Sequence, residues 1–148
     1  MIKALQFVAM LLTAVAMTAS WAHLLALPNK MTLSHDDYLT VQQIFRRWAL
    51  LGFIVVGAFV ATAMLTVLQR GAGTSFYLPL AATLYIVLSF AVFFLFTFPA
   101  NEATQNWIVL PQQWQALRKH WEYSHATGAV LYFVALALLT LSILFSRR

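Results

Sequence analysis

The chain has 148 residues, of which 62% are hydrophobic and 9% are charged, and its mean hydropathy is +0.80. A soluble domain usually carries about a quarter of charged residues, so this composition excludes a protein whose main solvent is water. The net charge of +5 comes from basic residues near the ends of apolar runs, which is typical of lipid-headgroup anchors and not of a nucleic-acid-binding stripe. The absence of cysteine excludes disulfides, thiolate metal sites and a cysteine nucleophile.

Four apolar runs are each long enough to cross a bilayer as a helix, which needs about 20 residues. They cover approximately residues 4–27, 49–68, 76–98 and 126–145. We therefore predict a single all-α domain, an integral membrane four-helix bundle with up-down topology. The first run is longer than the apolar core of a signal peptide, which has about 7–15 residues, so we expect an uncleaved helix.

The segment between the first two spans contains signals for a helix end and a new helix start. Pro28 is expected to end the first helix. Ser34 followed by Asp37 is typical of a helix start, with serine as the N-cap and an acid in the first turn. We predict a helix that begins near His35, outside the membrane, and continues into the second span.

The remaining connections are also marked by glycine and proline. Residues 69–75 contain two glycines and predict a tight loop between the second and third spans. Pro99 is expected to end the third span. Pro111 suits a helix N-terminus, so we predict a helix that begins near Gln112 and continues into the fourth span. The bundle should therefore have helical extensions beyond the membrane on the side opposite the termini.

An even number of crossings places both termini and residues 69–75 on one side of the membrane. That side carries basic residues and no acids, whereas the opposite side carries basic residues and every acid in the chain. The basic residues are Lys3, Arg70, Arg147 and Arg148 on the first side, and Lys30, Arg46, Arg47, Arg118 and Lys119 on the second. The first set lies in very short segments, where the positive-inside rule is most reliable. We expect a bacterial inner-membrane protein with both termini in the cytoplasm.

All histidines and carboxylates lie toward the side opposite the termini, which indicates a polar site at that membrane face. His23 interrupts an apolar run and needs a partner or a water-lined cavity there; the alternative is a ring that reaches the interface beside Trp21. Glu122 and His125 are three residues apart and share one face of a helix. Glu-x-x-His is the metal-ligand pair of di-iron bundles, which need two such motifs where this chain has one.

The sequence leaves the cofactor open. A single metal ion held by His23, Glu122 and His125 fits the two-histidine, one-carboxylate pattern of non-haem metals. Haem held by His23 and His125 is the less favoured alternative, because paired axial histidines usually lie deeper in a bundle. In the absence of a cofactor, Glu122 would pair with Arg118 one turn earlier or form a hydrogen bond on the helix surface.

Aromatic and polar residues flank this face. Trp107, Trp114 and Trp121 recur every seven residues, and we interpret them as interfacial anchors, the alternative being a lining for a flat hydrophobic substrate. Four polar residues before the second span either close the site from above or form a solvated helix face. These are Tyr38, Gln42, Gln43 and Arg46.

A set of residues spread over the chain has the pattern of a known family. They are His23, Leu27–Lys30, Tyr38, Gln42, Trp48, Phe98–Asn101, Trp107, Pro111, Trp114, Leu117–Arg118 and Trp121–Ala126. These strings resemble the bacterial branch of the DUF1772 membrane proteins, a superfamily also called anthrone oxygenase-like. The resemblance covers essentially the whole chain and includes the four-span layout.

The resemblance implies an activity. Fungal members oxidise an anthrone, a tricyclic polyketide, to a quinone with molecular oxygen; they share His23 and the Pro-x-Asn element ending in Asn101, but differ at Ser124–Thr127. By resemblance we expect an oxidoreductase or oxygenase for a hydrophobic aromatic or quinone-like substrate. His23 would be the base or a ligand, Glu122 and His125 would supply further polar groups, and Asn101 would orient the substrate.

Such a reaction does not require a metal, because an activated anthrone reacts with oxygen once a base such as histidine removes one proton. The alternative function is non-catalytic, an accessory subunit or small-ligand binder whose polar residues hold the loops together. Transport is disfavoured, since the spans show no broken helix or inverted repeat. We expect the lipid bilayer as a partner and no nucleic acid, with a hydrophobic small molecule and a second copy of the chain as further partners.

Overall fold

The computed structural model of the protein describes residues 1–145, which are almost entirely helical and contain no β-strand. The predicted anchors Arg147 and Arg148 lie outside the described residues. The α-helices are α1 (Ile2–Lys30), α2 (His35–Gln42), α3 (Leu51–Leu68), α4 (Thr74–Val92), α5 (Phe98–Ala103) and α6 (Trp114–Leu144). Two 3₁₀ turns, Gln43–Phe45 and Trp48–Leu50, separate α2 from α3, and one π turn, Phe93–Thr97, joins α4 to α5.

Four helical segments are long and apolar enough to cross a membrane, and they match the four predicted spans. They are Ile2–Lys30, Trp48–Leu68, Thr74–Ala103 and Trp114–Leu144. The helices pack in a closed cycle in which α1 contacts α3, α3 contacts α4, α4 contacts α6 and α6 contacts α1. The predicted all-α membrane bundle is thereby confirmed, and its exposed apolar side chains form the surface that contacts lipid.

The buried face of α1 repeats at heptad spacing. Its buried residues are Gln6, Ala9, Thr13, Ala16, Ser20, His23 and Lys30. Small side chains in such a seam let helices approach closely, because in lipid they associate by packing and hydrogen bonding rather than by the hydrophobic effect. The Thr13 hydroxyl is satisfied by donating to the Ala9 carbonyl at 2.7 Å. The two basic members, His23 and Lys30, lie at the C-terminal end of this seam.

The first helix was predicted to end at Pro28, but it continues to Lys30. A proline in the last turn removes only one intrahelical hydrogen bond, and the Met31 N–H still closes the helix by donating to the Leu27 carbonyl at 3.0 Å. Because seven positions are two turns of a helix, this continuation places Lys30 on the same face of α1 as His23.

Pro99 does not end the third span either, contrary to prediction. The helix widens to a π turn directly before it, in which the Phe98 N–H donates to the Phe93 carbonyl. Such a turn lets a helix bend without breaking. The chain then continues as α5, so Asn101 lies on a helix instead of in a loop.

The helix predicted to run from His35 into the second span is interrupted. Ser34 caps α2 as expected, accepting a hydrogen bond from the Asp37 N–H, but α2 gives way after Gln42 to the two 3₁₀ turns. In contrast, α6 is continuous over 31 residues. At about 46 Å it exceeds the roughly 30 Å hydrocarbon core, so the predicted extension beyond the membrane is present in α6.

Candidate functional site

His23 and His125 lie side by side where α1 packs against α6. Their ring centroids are 4.4 Å apart, and His23 is only 3% exposed. Trp121 packs edge-on against both rings, with centroids 4.7 Å from His23 and 4.3 Å from His125. Phe45 covers His23 from the 3₁₀ turn at a centroid distance of 4.3 Å. The structure thus brings together the two histidines that the sequence placed in one site.

Lys30 connects His23 to Glu122 and was not predicted to belong to the site. Its Nζ lies 3.1 Å from His23 Nδ1 and 2.7 Å from Glu122 Oε2. The sequence suggested only a headgroup anchor at the end of the first span. The signal that could have found it is the heptad spacing, since Lys30 is seven residues after His23 on one helix face.

The second carboxylate oxygen of Glu122 is also engaged. The Tyr38 hydroxyl donates to Glu122 Oε1 at 2.8 Å and accepts from the Gln42 side-chain amide at 2.5 Å. Burial, followed by the charge of the Glu122 carboxylate, raises the pKa of Tyr38 above the ordinary range of a tyrosine. This contact docks α2 onto α6. We call His23, Lys30, Tyr38, Glu122 and His125 the polar cluster.

Arg118 does not pair with Glu122, contrary to the alternative considered from the sequence. Its guanidinium donates to the backbone carbonyls of Lys30, at 3.3 Å, and Leu33, at 3.0 Å. It also lies over the Trp114 ring, 4.6 Å from the centroid. Arg118 therefore fixes the turn that follows α1 and leaves Lys30 as the cation that contacts Glu122.

Asn101 is held beside the polar cluster rather than in it. Its side-chain carbonyl accepts a hydrogen bond from Trp121 Nε1 at 2.8 Å, so it orients the indole that packs on His23 and His125. Glu102, next in the chain, is exposed and contributes nothing to the site. Asn101 thus orients Trp121 in this structure. Its predicted role in orienting a substrate stays a prediction.

Trp107 and Trp121 are buried at 4% and 5% exposure, so the interpretation of these two residues as interfacial anchors is wrong. Gln105, Asn106 and Trp107 all adopt positive φ angles of 49°, 57° and 63°, and this left-handed segment turns the Trp107 ring inward. The ring packs 5.2 Å from Tyr38 and 5.7 Å from Trp121, measured between centroids. Short-range patterns do not reveal three consecutive left-handed residues, none of them glycine.

Other residues singled out in the sequence lie elsewhere. His35 is exposed and contacts Asp36 at 2.6 Å, and His120 is exposed beside Phe96. Gln43 donates to the Trp107 carbonyl at 2.8 Å and so holds the left-handed segment. Arg46 is exposed, and its side chain forms no hydrogen bond or ion pair within the described chain.

The predicted three-ligand metal set is not assembled. Within residues 1–145, no three His, Cys, Asp or Glu side chains form a group that could hold a metal ion. The Lys30 ammonium, a cation, contacts both His23 and Glu122, two of the three predicted ligands. Nor do the two histidines suit haem, because rings 4.4 Å apart leave no room for a porphyrin plane between them.

The contacts assign different chemistry to the two histidines. The Lys30 ammonium donates to His23 Nδ1, so a neutral His23 carries its proton on Nε2 and can donate from there. His125 is half-buried, and its ring nitrogens form no hydrogen bond within the described residues. One histidine is therefore arranged as a hydrogen-bond donor and its neighbour retains a lone pair able to accept a proton.

Comparisons with protein-family models, with curated proteins and with solved structures find no match to this chain. The relation to the DUF1772 superfamily thus stays a prediction from the sequence.

Proposed function

We propose that the protein is a membrane oxidoreductase of the oxygenase type, acting on a hydrophobic aromatic or quinone-like substrate at the polar cluster. The observation that carries the proposal is the contact of the His23 ring with the His125 ring, next to the buried pair of Lys30 and Glu122. Ionisable groups inside membrane spans are costly, and they are commonly retained because they act on a substrate, an ion or a proton.

In this proposal His125 is the base, a change from the role that the sequence suggested for His23. His125 Nδ1 or Nε2 takes the acidic C–H proton of an anthrone-type substrate, leaving an enolate. The His23 Nε2–H, polarised by Lys30 at Nδ1, donates to the developing enolate oxygen. The enolate carbon adds molecular oxygen, and loss of water from the resulting hydroperoxide gives the quinone, so that anthrone and oxygen yield anthraquinone and water.

The aromatic surroundings suit such a substrate. Trp121 and Phe45 pack on His23 and supply flat apolar surfaces next to the reacting groups. Asn101 fixes the Trp121 indole through its hydrogen bond and acts as a positioning residue. We place the polar cluster at the periplasmic face of a bacterial inner membrane, with both termini in the cytoplasm.

The second candidate is a non-catalytic membrane protein in which the polar cluster holds the loops together. One observation favours it: both oxygens of Glu122 are already bound, by Lys30 and by Tyr38, and these residues tie α1 and α2 to α6. If the polar cluster is purely structural, substitutions in it should change the stability of the protein, and no turnover should be measured.

Oxidation of anthrone tests the two candidates. Purified protein in phosphatidylcholine vesicles is mixed with anthrone in air, and anthraquinone absorbance and oxygen uptake are followed. We expect turnover that exceeds protein-free vesicles and falls by about 10²-fold or more in His125→Ala, the usual size of a general-base effect. His120→Ala, which removes an exposed histidine outside the polar cluster, is the matched control. Wild-type protein no faster than empty vesicles would leave the structural candidate.

A further inference from the structure

A lateral groove lies on the surface of the bundle between α1 and the start of the second span. The groove is shallow and open along one side, with a volume of about 560 Å³. Its lining includes Val15, Thr18, Ala19, Arg47, Trp48 and Leu51. Since it opens on a face of two membrane spans, a molecule dissolved in the bilayer reaches it without crossing the polar loops.

Trp48 joins this groove to the polar cluster. The residue is 37% exposed, and its ring centroid lies 5.6 Å from His23 and 4.9 Å from Phe45. Ala19 lies one turn before His23 on α1, so the groove floor leads along that helix toward the histidine. Trp48 therefore lines the groove and also packs against His23.

Arg47 gives the groove a charge preference. Its side chain is exposed and forms no hydrogen bond or ion pair within residues 1–145. The remaining lining is apolar except for Thr18, whose hydroxyl already donates to the Ala14 carbonyl at 2.9 Å. An unpaired guanidinium at the edge of an apolar groove binds carboxylate or phenolate oxygens, and the surrounding low dielectric strengthens the contact.

We infer that this groove binds the substrate, a flat aromatic molecule with one anionic group, so that the ring system lies on Trp48 and the anion on Arg47. The inference deepens the proposed function and rests on it only for the chemical step. A flat aromatic molecule is favoured over a phospholipid because the groove is lined by Trp48, whose ring also packs on His23. An acyl chain would gain nothing specific from that surface.

Binding of two product-like probes tests the inference. Protein in phosphatidylcholine nanodiscs is titrated with anthraquinone-2-carboxylate and with neutral anthraquinone, and quenching of tryptophan fluorescence gives the two affinities. We expect the carboxylate to bind about tenfold more tightly, as for one added charged contact. Arg47→Gln should abolish this preference, and Arg46→Gln should retain it, because Arg46 is an exposed neighbour that does not line the groove. Ala19→Trp, which fills the groove, should weaken both probes.

Three results would overturn the inference: equal affinities for the two probes in the wild type, equal losses in Arg46→Gln and Arg47→Gln, or displacement of the bound carboxylate by phosphatidylglycerol. The last result would identify the groove as a site for anionic lipid. Because binding needs no turnover, the two proposals fail separately. Binding that depends on Arg47 in a protein that does not oxidise anthrone would contradict only the proposed oxygenase activity. Anthrone oxidation in a protein whose binding does not depend on Arg47 would contradict only the proposed groove site.

Discussion

Lys30 Nζ lies 2.7 Å from Glu122 Oε2, and the two side chains are 3% and 0% exposed. The pair joins the C-terminal end of α1 to α6, and Tyr38 brings α2 to the same carboxylate. Burying two charges is expensive, and their attraction offsets that cost only while both partners are present. The polar cluster is therefore far more sensitive to the loss of one partner than to the replacement of both.

Lys30→Met should lower the free energy of unfolding by about 3–5 kcal/mol, because Glu122 would remain buried without its counter-charge. Lys119→Met removes an exposed lysine from α6 and should change it little. Thermal unfolding in detergent measures both. The double variant Lys30→Met/Glu122→Gln should recover most of the loss; a double variant as unstable as Lys30→Met alone would contradict an origin in the unpaired carboxylate.

Tyr38 predicts a stability change at high pH. Its folded-state pKa is raised, first by burial and then by Glu122, so the folded protein holds the phenolic proton more tightly than the unfolded chain does. Its contribution is thus complete below the ordinary pKa of 10.0 and is lost as pH rises beyond that value. The free energy of unfolding should fall more steeply above about pH 10 in wild type than in Tyr38→Phe. Tyr123→Phe, at an exposed tyrosine, should follow wild type, whereas parallel curves for wild type and Tyr38→Phe would contradict the assignment.

Ser124→Ala should weaken the contact between α6 and the π turn. The Ser124 hydroxyl donates to the Trp121 carbonyl at 2.8 Å, and the Thr97 hydroxyl lies 2.6 Å from it, within the buried interface. Hydrogen bonds between membrane helices contribute about 0.6 kcal/mol on average, so we expect a loss near that size in detergent unfolding. Thr127→Ala removes an exposed hydroxyl bonded only within its own helix and serves as the control. Equal losses in the two variants would argue against a role for the interhelical contact.

Gln105 should tolerate glycine better than valine, although its side chain is exposed. Its φ of 49° is open to glycine and strained for a β-branched residue. We expect Gln105→Gly to leave thermal stability nearly unchanged and Gln105→Val to cost about 1–3 kcal/mol. Gln115→Val, at an exposed position within α6, should lower the free energy of unfolding by about 0.7 kcal/mol at most, because only helix propensity changes there. Equal costs for the two valine variants would show that the left-handed segment is not strained.

Hydropathy was sufficient to predict the four spans, because lipid requires long apolar helices and few other structures satisfy the backbone. The same reasoning placed His23, Glu122 and His125 at one membrane face, since the ends of α1 and the start of the fourth span lie on the same side. The contact of His23 with His125 then requires only that α1 packs against α6. That much of the site follows from periodicity and from the even number of crossings.

The remainder depended on local departures from simple rules. Pro28 and Pro99 were expected to end helices, but both are accommodated, and this determines where Lys30 and Asn101 lie. Trp107 is buried by a left-handed segment, and Gln43 and the packed rings hold that segment in place. Such features arise from tertiary contacts that compensate a local cost, and apart from the heptad spacing between His23 and Lys30 the local sequence gives no signal for them.

The π turn at residues 93–97 gives the spacing of the third span a consequence of its own. The hydrogen bond of a π turn spans five residues instead of four, so the turn contains one residue more than an α-helical turn. If the same residues closed as an uninterrupted α-helix, the extra residue would no longer be absorbed, and all later positions would rotate by about 100° around the axis. Asn101 would then turn away from Trp121, although every side chain would be unchanged. The extra residue of the π turn thus determines which side chain of α5 supports the indole beside the two histidines.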